Sequence, residues 1–132
     1  MCTNQPEVQR GAMSETQLQA VHAALVGMLK EQRAVIDRIF TCTRVLKCPR
    51  RKPSAGMLHE ALVYYGANAS TPFIGDQADD LKAAFHAGCR RILVRSGLGA
   101  EALAEGIPDW VRPYAVFDDL AAAARSVLQA SA

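Results

Sequence analysis

Three carboxylates, Asp76, Asp79 and Asp80, fall within five positions of the stretch FIGDQADDLKAAFHAG. They follow a short apolar run, TPFIG, and open a helical pattern that stops at Gly88. A carboxylate at the end of a strand can ligate a hard cation. Mg²⁺ takes one or two protein carboxylates and completes its shell with water and substrate phosphate oxygens. Gly75, just ahead of Asp76, lets the backbone bend and approach a ligand closely. Asp79 and Asp80 have other uses at the same place. The first N–H groups of a helix need acceptors and its dipole favours anions. One of the two can therefore cap the helix while the other holds a metal's water shell or a nearby lysine. From the spacing alone, an equally open reading is that all three simply cap and solvate a helix start.

The opposite charge lies in a second stretch, RVLKCPRRKPSAGML, which carries Arg44, Lys47, Arg50, Arg51 and Lys52. Guanidinium forks bind phosphate oxygens two at a time, and a lysine acts as a compact point charge. Pro53 disfavours a helical conformation at Lys52, which suits a fixed side chain facing a phosphate. On composition alone, a solvated basic loop is the plainer reading. A nucleic-acid platform is not expected, because no aromatic residues are interleaved with these charges.

The elements that must position these groups alternate along the chain. SETQLQAVHAALVGMLKEQ opens with a capping-box pattern, Ser14 and Gln17, and places Leu18, Val21, Leu25, Met28 and Leu29 on one helical face. Residues 35–42 read as a strand. A helix with Leu58, Ala61, Leu62 and Tyr65 on one face stops at Gly66. TPFIG is a short strand, and a helix spans about 79–87. RRILV is a strand, a short helix lies near 99–105, and YAVF leads into a last helix headed by Asp118 or Asp119. Strands separated by helices predict right-handed crossovers and a mainly parallel α/β sheet with helices on both faces.

The chain of 132 residues is of single-domain size, with a net charge of only +2, against a general nucleic-acid or membrane-surface binder. No apolar run approaches the roughly 18 residues of a spanning helix. Four scattered cysteines, Cys2, Cys42, Cys48 and Cys89, do not make a disulfide framework. A reducing, cytoplasmic setting is expected. His22, His59 and His86 read as helix-packing residues, Trp110 as loop packing, and Gly97 and Gly99 as a turn.

Taken together, TNQPEVQRG, RRKPSAGML and IGDQADDLKAAFHAGCRRILVRSG resemble, in that order, the second, third and fourth motifs of the haloacid dehalogenase (HAD) superfamily of Mg²⁺-dependent phosphatases. The closer likeness is to its histidinol-phosphatase and D-glycero-D-manno-heptose 1,7-bisphosphate phosphatase group, over nearly the whole chain. The resemblance implies a HAD-like (Rossmannoid) parallel sheet flanked by helices, in a single domain over 1–132 that corresponds to the C-terminal three-quarters of the fold. It implies a cytoplasmic hydrolase of carbohydrate metabolism, acting on a small phosphorylated sugar. It assigns Thr3 to the transferring phosphoryl group, Asn4 and Arg10 to substrate orientation, Lys52 to charge neutralisation and Arg51 to substrate phosphate or sugar. Asp76 would ligate Mg²⁺, and Asp80 would stand as a second acid.

Two departures follow from the same resemblance. The family's first motif, Asp-x-Asp, supplies the nucleophile and the acid/base, and no Asp-x-Asp precedes Thr3 in this sequence. A truncated chain is expected, with its first strand absent, no turnover of its own and room for a complementary N-terminal fragment. The alternative is a non-catalytic module that binds phosphate or a partner. The heptose group also carries a zinc loop. Cys42 and Cys48 match two of its ligand positions, Thr43 and Arg44 stand where a Pro-His pair is expected, and Arg50 replaces the last cysteine. Two thiolates do not close a four-ligand site, so zinc is not expected and plain thiols are the better reading.

Overall fold

The computed structural model describes residues 1–68 and 70–130. In chain order the elements are β1 (Cys2–Asn4), α1 (Glu15–Glu31), β2 (Phe40–Cys42), α2 (Gly56–Tyr65), β3 (Pro72–Gly75), α3 (Ala78–His86), β4 (Arg90–Val94), α4 (Gly99–Glu105), β5 (Ala115–Phe117) and α5 (Leu120–Ala130). A 3₁₀ turn at Asp109–Val111 precedes β5. Every strand pairing is parallel, as the alternation of strand and helix patterns implied. Among the described residues, no helix is long and apolar enough to cross a membrane.

The strands form two sheets rather than one continuous sheet. β1 pairs with β2, and β3–β4–β5 make a second sheet. Hydrogen bonds along a strand alternate in direction, so their pattern shows which edges face the gap. Met1 carbonyl accepts from Phe40 N–H, and Gln5 N–H donates to Cys42 carbonyl. Met1, Thr3 and Gln5 therefore point their backbone groups at β2, and those of Cys2 and Asn4 point away from it. Thr71 carbonyl accepts from Arg90 N–H, so the backbone groups of Pro72 and Ile74 point away from β4. Among the described residues β3 pairs only with β4. β3 is half-buried along its whole length, whereas Ile92 and Leu93 in the centre of β4 are fully buried.

The core is built on alternation along β4. Ile92 and Val94 pack with Ala123 of α5 on one face. Leu93 packs with Leu81 of α3 and Val111 on the other. A separate cluster joins the two sheets: Phe40 and Cys42 of β2, Met57 and Leu58 of α2, and Ala83 and Ala84 of α3. The small alanines let α3 lie close to its neighbours. Cys2 of β1 and Phe73 of β3 both rest on this cluster.

Local signals behaved as their chemistry requires at the helix ends. Ser14 Oγ accepts from Gln17 N–H at 3.1 Å, and Gln17 Oε1 accepts from Ser14 N–H at 2.8 Å, a complete capping box. Gly66 takes a left-handed φ of 59° at the end of α2. Asp119, not Asp118, caps α5, its Oδ1 accepting from Ala122 N–H at 2.7 Å. Two expectations shift. The strand expected over 35–42 is paired only at Phe40–Cys42, because β1 offers three residues to pair with. The face of α1 turned inward is Leu18, His22, Leu25 and Leu29, while Val21 and Met28 are exposed. Leu93→Ala is expected to lower the unfolding free energy by about 2–5 kcal/mol through cavity formation. Val63→Ala, on the exposed side of α2, should change it by no more than about 0.5 kcal/mol. Urea denaturation of the two variants checks the contrast.

Candidate functional site

β1 and β3 both end at one cleft of about 620 Å³, whose lining includes Thr3, Asn4, Lys52, Asp76, Asp79 and Asp80. Lys52 comes from the basic loop before α2 and reaches across the gap between the sheets. Its Nζ donates to Cys2 carbonyl at 3.2 Å and to Asp80 Oδ1 at 2.5 Å. The lysine side chain is 13% exposed and the aspartate 7%. An ion pair this sheltered must have its remaining oxygen satisfied. Asp80 Oδ2 accepts from both Asp76 N–H and Gln77 N–H, each at 3.1 Å.

Asn4 fixes the lysine from behind. Its Nδ2 donates to Lys52 carbonyl at 2.9 Å and its Oδ1 accepts from Lys52 N–H at 3.1 Å. Both ends of the amide are thus occupied by the backbone of one residue, which makes Asn4 a positioning residue for Lys52. Thr3 Oγ1 accepts from Gln5 Nε2 at 3.0 Å. A hydroxyl also carries one hydrogen to donate, so Thr3 can still donate into the cleft.

Asp76 is held from the far side. Its Oδ2 accepts from Leu98 N–H at 3.0 Å. This contact explains a glycine whose reason was hidden in the sequence. A Cβ on Gly97 would lie 2.3 Å from Asp76 Oδ2, and Gly97 has a φ of 66°. Gly75 is equally constrained, since a Cβ there would lie 2.3 Å from Asp80 Cβ. The turn in RSGLG is therefore the back wall of the acidic turn. The sequence pattern offered only the glycines as a signal. Tyr65, read as a packing residue, also borders the cleft. Its hydroxyl donates to Asp37 Oδ2 at 2.5 Å, and that bond pushes its pKa up to about 12.

Of the carboxylates read as metal or helix groups, Asp79 pairs with Lys82 at 2.9 Å. Asp80 both binds the lysine and caps the start of α3, and its oxygens are taken. Asp76 is left with Oδ1, which makes no hydrogen bond among the described residues. No group of three or more His, Cys, Asp or Glu suited to a metal occurs among the described residues. The donor set fits magnesium only in the sparse form that this ion accepts, one carboxylate oxygen with water and phosphate oxygens making up the octahedron.

Two sequence candidates lie away from this cleft. Arg10 is exposed and pairs with Glu7. Arg51 donates from Nη1 to Arg44 carbonyl at 3.1 Å and borders a separate hollow formed by the basic loop. Cys42 and Cys48 are adjacent to each other, with sulfurs 3.4 Å apart. Lys52→Met is expected to cost about 3 kcal/mol of stability by leaving Asp80 charged and without its cation. The double variant Lys52→Met/Asp80→Leu should recover part of that loss, and Arg10→Ala should cost under about 1 kcal/mol. Denaturant titration of the three variants measures the differences.

With the geometry established, the chain can be set beside known proteins. Residues 49–123 match the family model described as HAD-hydrolase-like. The chain is 36% identical to D-glycero-beta-D-manno-heptose-1,7-bisphosphate 7-phosphatase of Pseudomonas aeruginosa, covering 98% of this chain and 72% of that protein. It is 37% identical to the enzyme of the same name from Bordetella bronchiseptica, covering 98% and 73%. Its fold is similar to the crystal structure of D,D-heptose 1,7-bisphosphate phosphatase from B. bronchiseptica complexed with magnesium and phosphate. The TM-score there is 0.90 at 35% identity, over 98% of this chain and 73% of that one. The heptose bisphosphate phosphatase from Burkholderia thailandensis gives a TM-score of 0.65 at 32% identity, over 96% and 72%. The family-model match over residues 49–123, with 36–37% identity to these enzymes along nearly the whole chain, places the chain in the HAD-hydrolase-like family.

Proposed function

We propose that this chain carries the phosphate- and magnesium-facing side of a phosphatase site for a small sugar phosphate, a heptose bisphosphate-like phosphomonoester. The single observation that supports it most is the convergence of Lys52, Asp76 and Thr3 on one cleft at the ends of β1 and β3. In phosphoryl transfer, positioning and charge neutralisation supply most of the catalysis. Lys52 would stabilise negative charge on the phosphoryl oxygens, and its place is fixed by Asn4 and Asp80. Thr3 would donate its hydroxyl to a phosphoryl oxygen. Asp76 would hold the metal through Oδ1 while Leu98 N–H fixes Oδ2. Magnesium, when bound, adds positive charge beside the transferring group. Arg10 and Arg51, which lie away from the cleft, would meet only a distal part of a substrate.

The same geometry leaves the chain without an evident nucleophile. The 132 residues contain no Asp-x-Asp. Asp80 is held by Lys52 and two backbone N–H groups, and Asp79 is drawn to Lys82. Chain 1–132 is therefore expected to release no phosphate from a sugar phosphate in the presence of Mg²⁺. It should still bind inorganic phosphate with Mg²⁺, and Asp76→Asn should weaken that binding by about tenfold, or 1.4 kcal/mol. Calorimetry and a phosphate-release assay separate the two properties. Turnover that disappears in Asp76→Asn would overturn the inactive reading, and a flat titration would overturn the phosphate-binding one.

A second reading, partner binding, has its own support in the backbone groups of Asn4, Pro72 and Ile74 that face the gap between the sheets, beside the Cys2 carbonyl that Lys52 takes. Unpaired strand edges are sites for strand addition. A strand supplied by a second polypeptide and ending in Asp-x-Asp would pair with both edges and bring its carboxylates to Lys52 and Asp76. Mixing the chain with such a polypeptide should produce phosphate release that neither component shows alone. If the mixture stays inactive and the two do not co-elute, the partner reading fails.

A further inference from the structure

Cys42 and Cys48 form a contact that the cleft chemistry does not use. Cys42 is the last residue of β2 and is 2% exposed. Cys48 lies six positions on in the basic loop and is half-buried. Their sulfurs are 3.4 Å apart, with the Cys42 thiol donating to Cys48 Sγ. Cys48 stands in a loop that also carries Arg44, Lys47, Arg50 and Arg51, with the Arg50 guanidinium paired to Glu60. Cys48 is the more accessible of the two sulfurs, and Cys42 is buried behind it. The two sulfurs have no third metal-ligating side chain beside them among the described residues, so a closed metal cage is not their evident use. Reactive cysteines sit in electropositive, partly exposed surroundings, often next to a resolving thiol. Cys48 has the first property and Cys42 supplies the second. A disulfide needs the sulfurs to close to about 2.05 Å, and the turn-rich loop between them contains only residues 43–47.

We propose that Cys48 is a thiol oxidation site for peroxide and that Cys42 resolves the oxidised form into an intramolecular disulfide. The Cys48 thiolate attacks one peroxide oxygen. The O–O bond breaks, the departing hydroxide takes up a proton as water, and Cys48 becomes a sulfenic acid. Cys42 sulfur then attacks Cys48 sulfur. The S–O bond breaks, and the leaving hydroxide takes the Cys42 proton and departs as a second water. Two thiols thus lose two electrons and hydrogen peroxide is reduced to two waters. The new bond ties the end of β2 to the loop that continues through Arg50 and Arg51 to Lys52. Cys48 carbonyl already accepts from Arg51 N–H at 3.0 Å, so the bond is made at the base of the segment that presents the lysine.

The test uses the whole chain, reduced and chelator-treated, exposed to hydrogen peroxide and followed by thiol alkylation and mass spectrometry. Two of the four thiols should be lost together, with the mass of two hydrogens and a peptide cross-link between Cys42 and Cys48, reversed by dithiothreitol. The pair should react roughly tenfold faster than Cys2 or Cys89, as expected for an activated thiol. Cys42→Ser should leave a sulfenic acid at Cys48 that dimedone traps, and Cys48→Ser should abolish the fast reaction while its circular dichroism stays unchanged. Four thiols still alkylated after peroxide, a cross-link through Cys2 or Cys89, or trapping at Cys42 rather than Cys48 would each overturn the proposal. A metal ion found tightly held by the pair in chain not treated with chelator would overturn it as well.

Discussion

The ammonium of Lys52 is the point at which the two sheets meet. It takes one acceptor from β1, the carbonyl of Cys2, and one from α3, the carboxylate of Asp80. No β-ladder joins β1 to β3, so this charge carries the polar part of the junction while the cluster around Met57 and Ala83 carries the apolar part. A nearly buried ion pair is costly to form and specific once formed. Here the specificity comes from the surrounding hydrogen bonds. Asn4 fixes the lysine backbone, and two backbone N–H groups fix the aspartate.

That arrangement explains how three acids can share one turn without mutual repulsion deciding the outcome. Each has a different neighbour. Asp80 turns inward to a lysine, Asp79 turns outward to Lys82, and Asp76 leans on Leu98 N–H. Gly75 and Gly97 are required because the carboxylates of Asp80 and Asp76 occupy the space a side chain would need. The result is a cleft with one fixed cation and, at Asp76 Oδ1, a carboxylate oxygen without a hydrogen bond among the described residues, an arrangement suited to holding a phosphate beside a divalent ion.

Much of the local order was legible in the sequence. The Ser14–Gln17 box, the Gly66 stop and the parallel α/β class follow from short-range chemistry. Where the reading fell short, long-range contacts were responsible. The inward face of α1 runs through His22 rather than Val21, which its apolar period alone did not indicate. The strand near 35–42 is short because its partner is short. That both ends of the Asn4 amide meet the backbone of Lys52, 48 positions away, was not legible in the sequence.

The sequence alone determined which residue types could meet: a threonine, a lysine after a basic run, and acids at the end of an apolar strand, in an order that resembles a phosphatase family. These are properties of composition and spacing. Only the tertiary structure decided which acid meets which cation, because that depends on distances between segments far apart in the chain. It set Arg10 and Arg51 away from the cleft, gave Asp80 to Lys52, and put the sulfurs of Cys42 and Cys48 in contact. Electrostatic attraction and hydrogen bonding act over a few ångströms, and sequence separation does not report those distances.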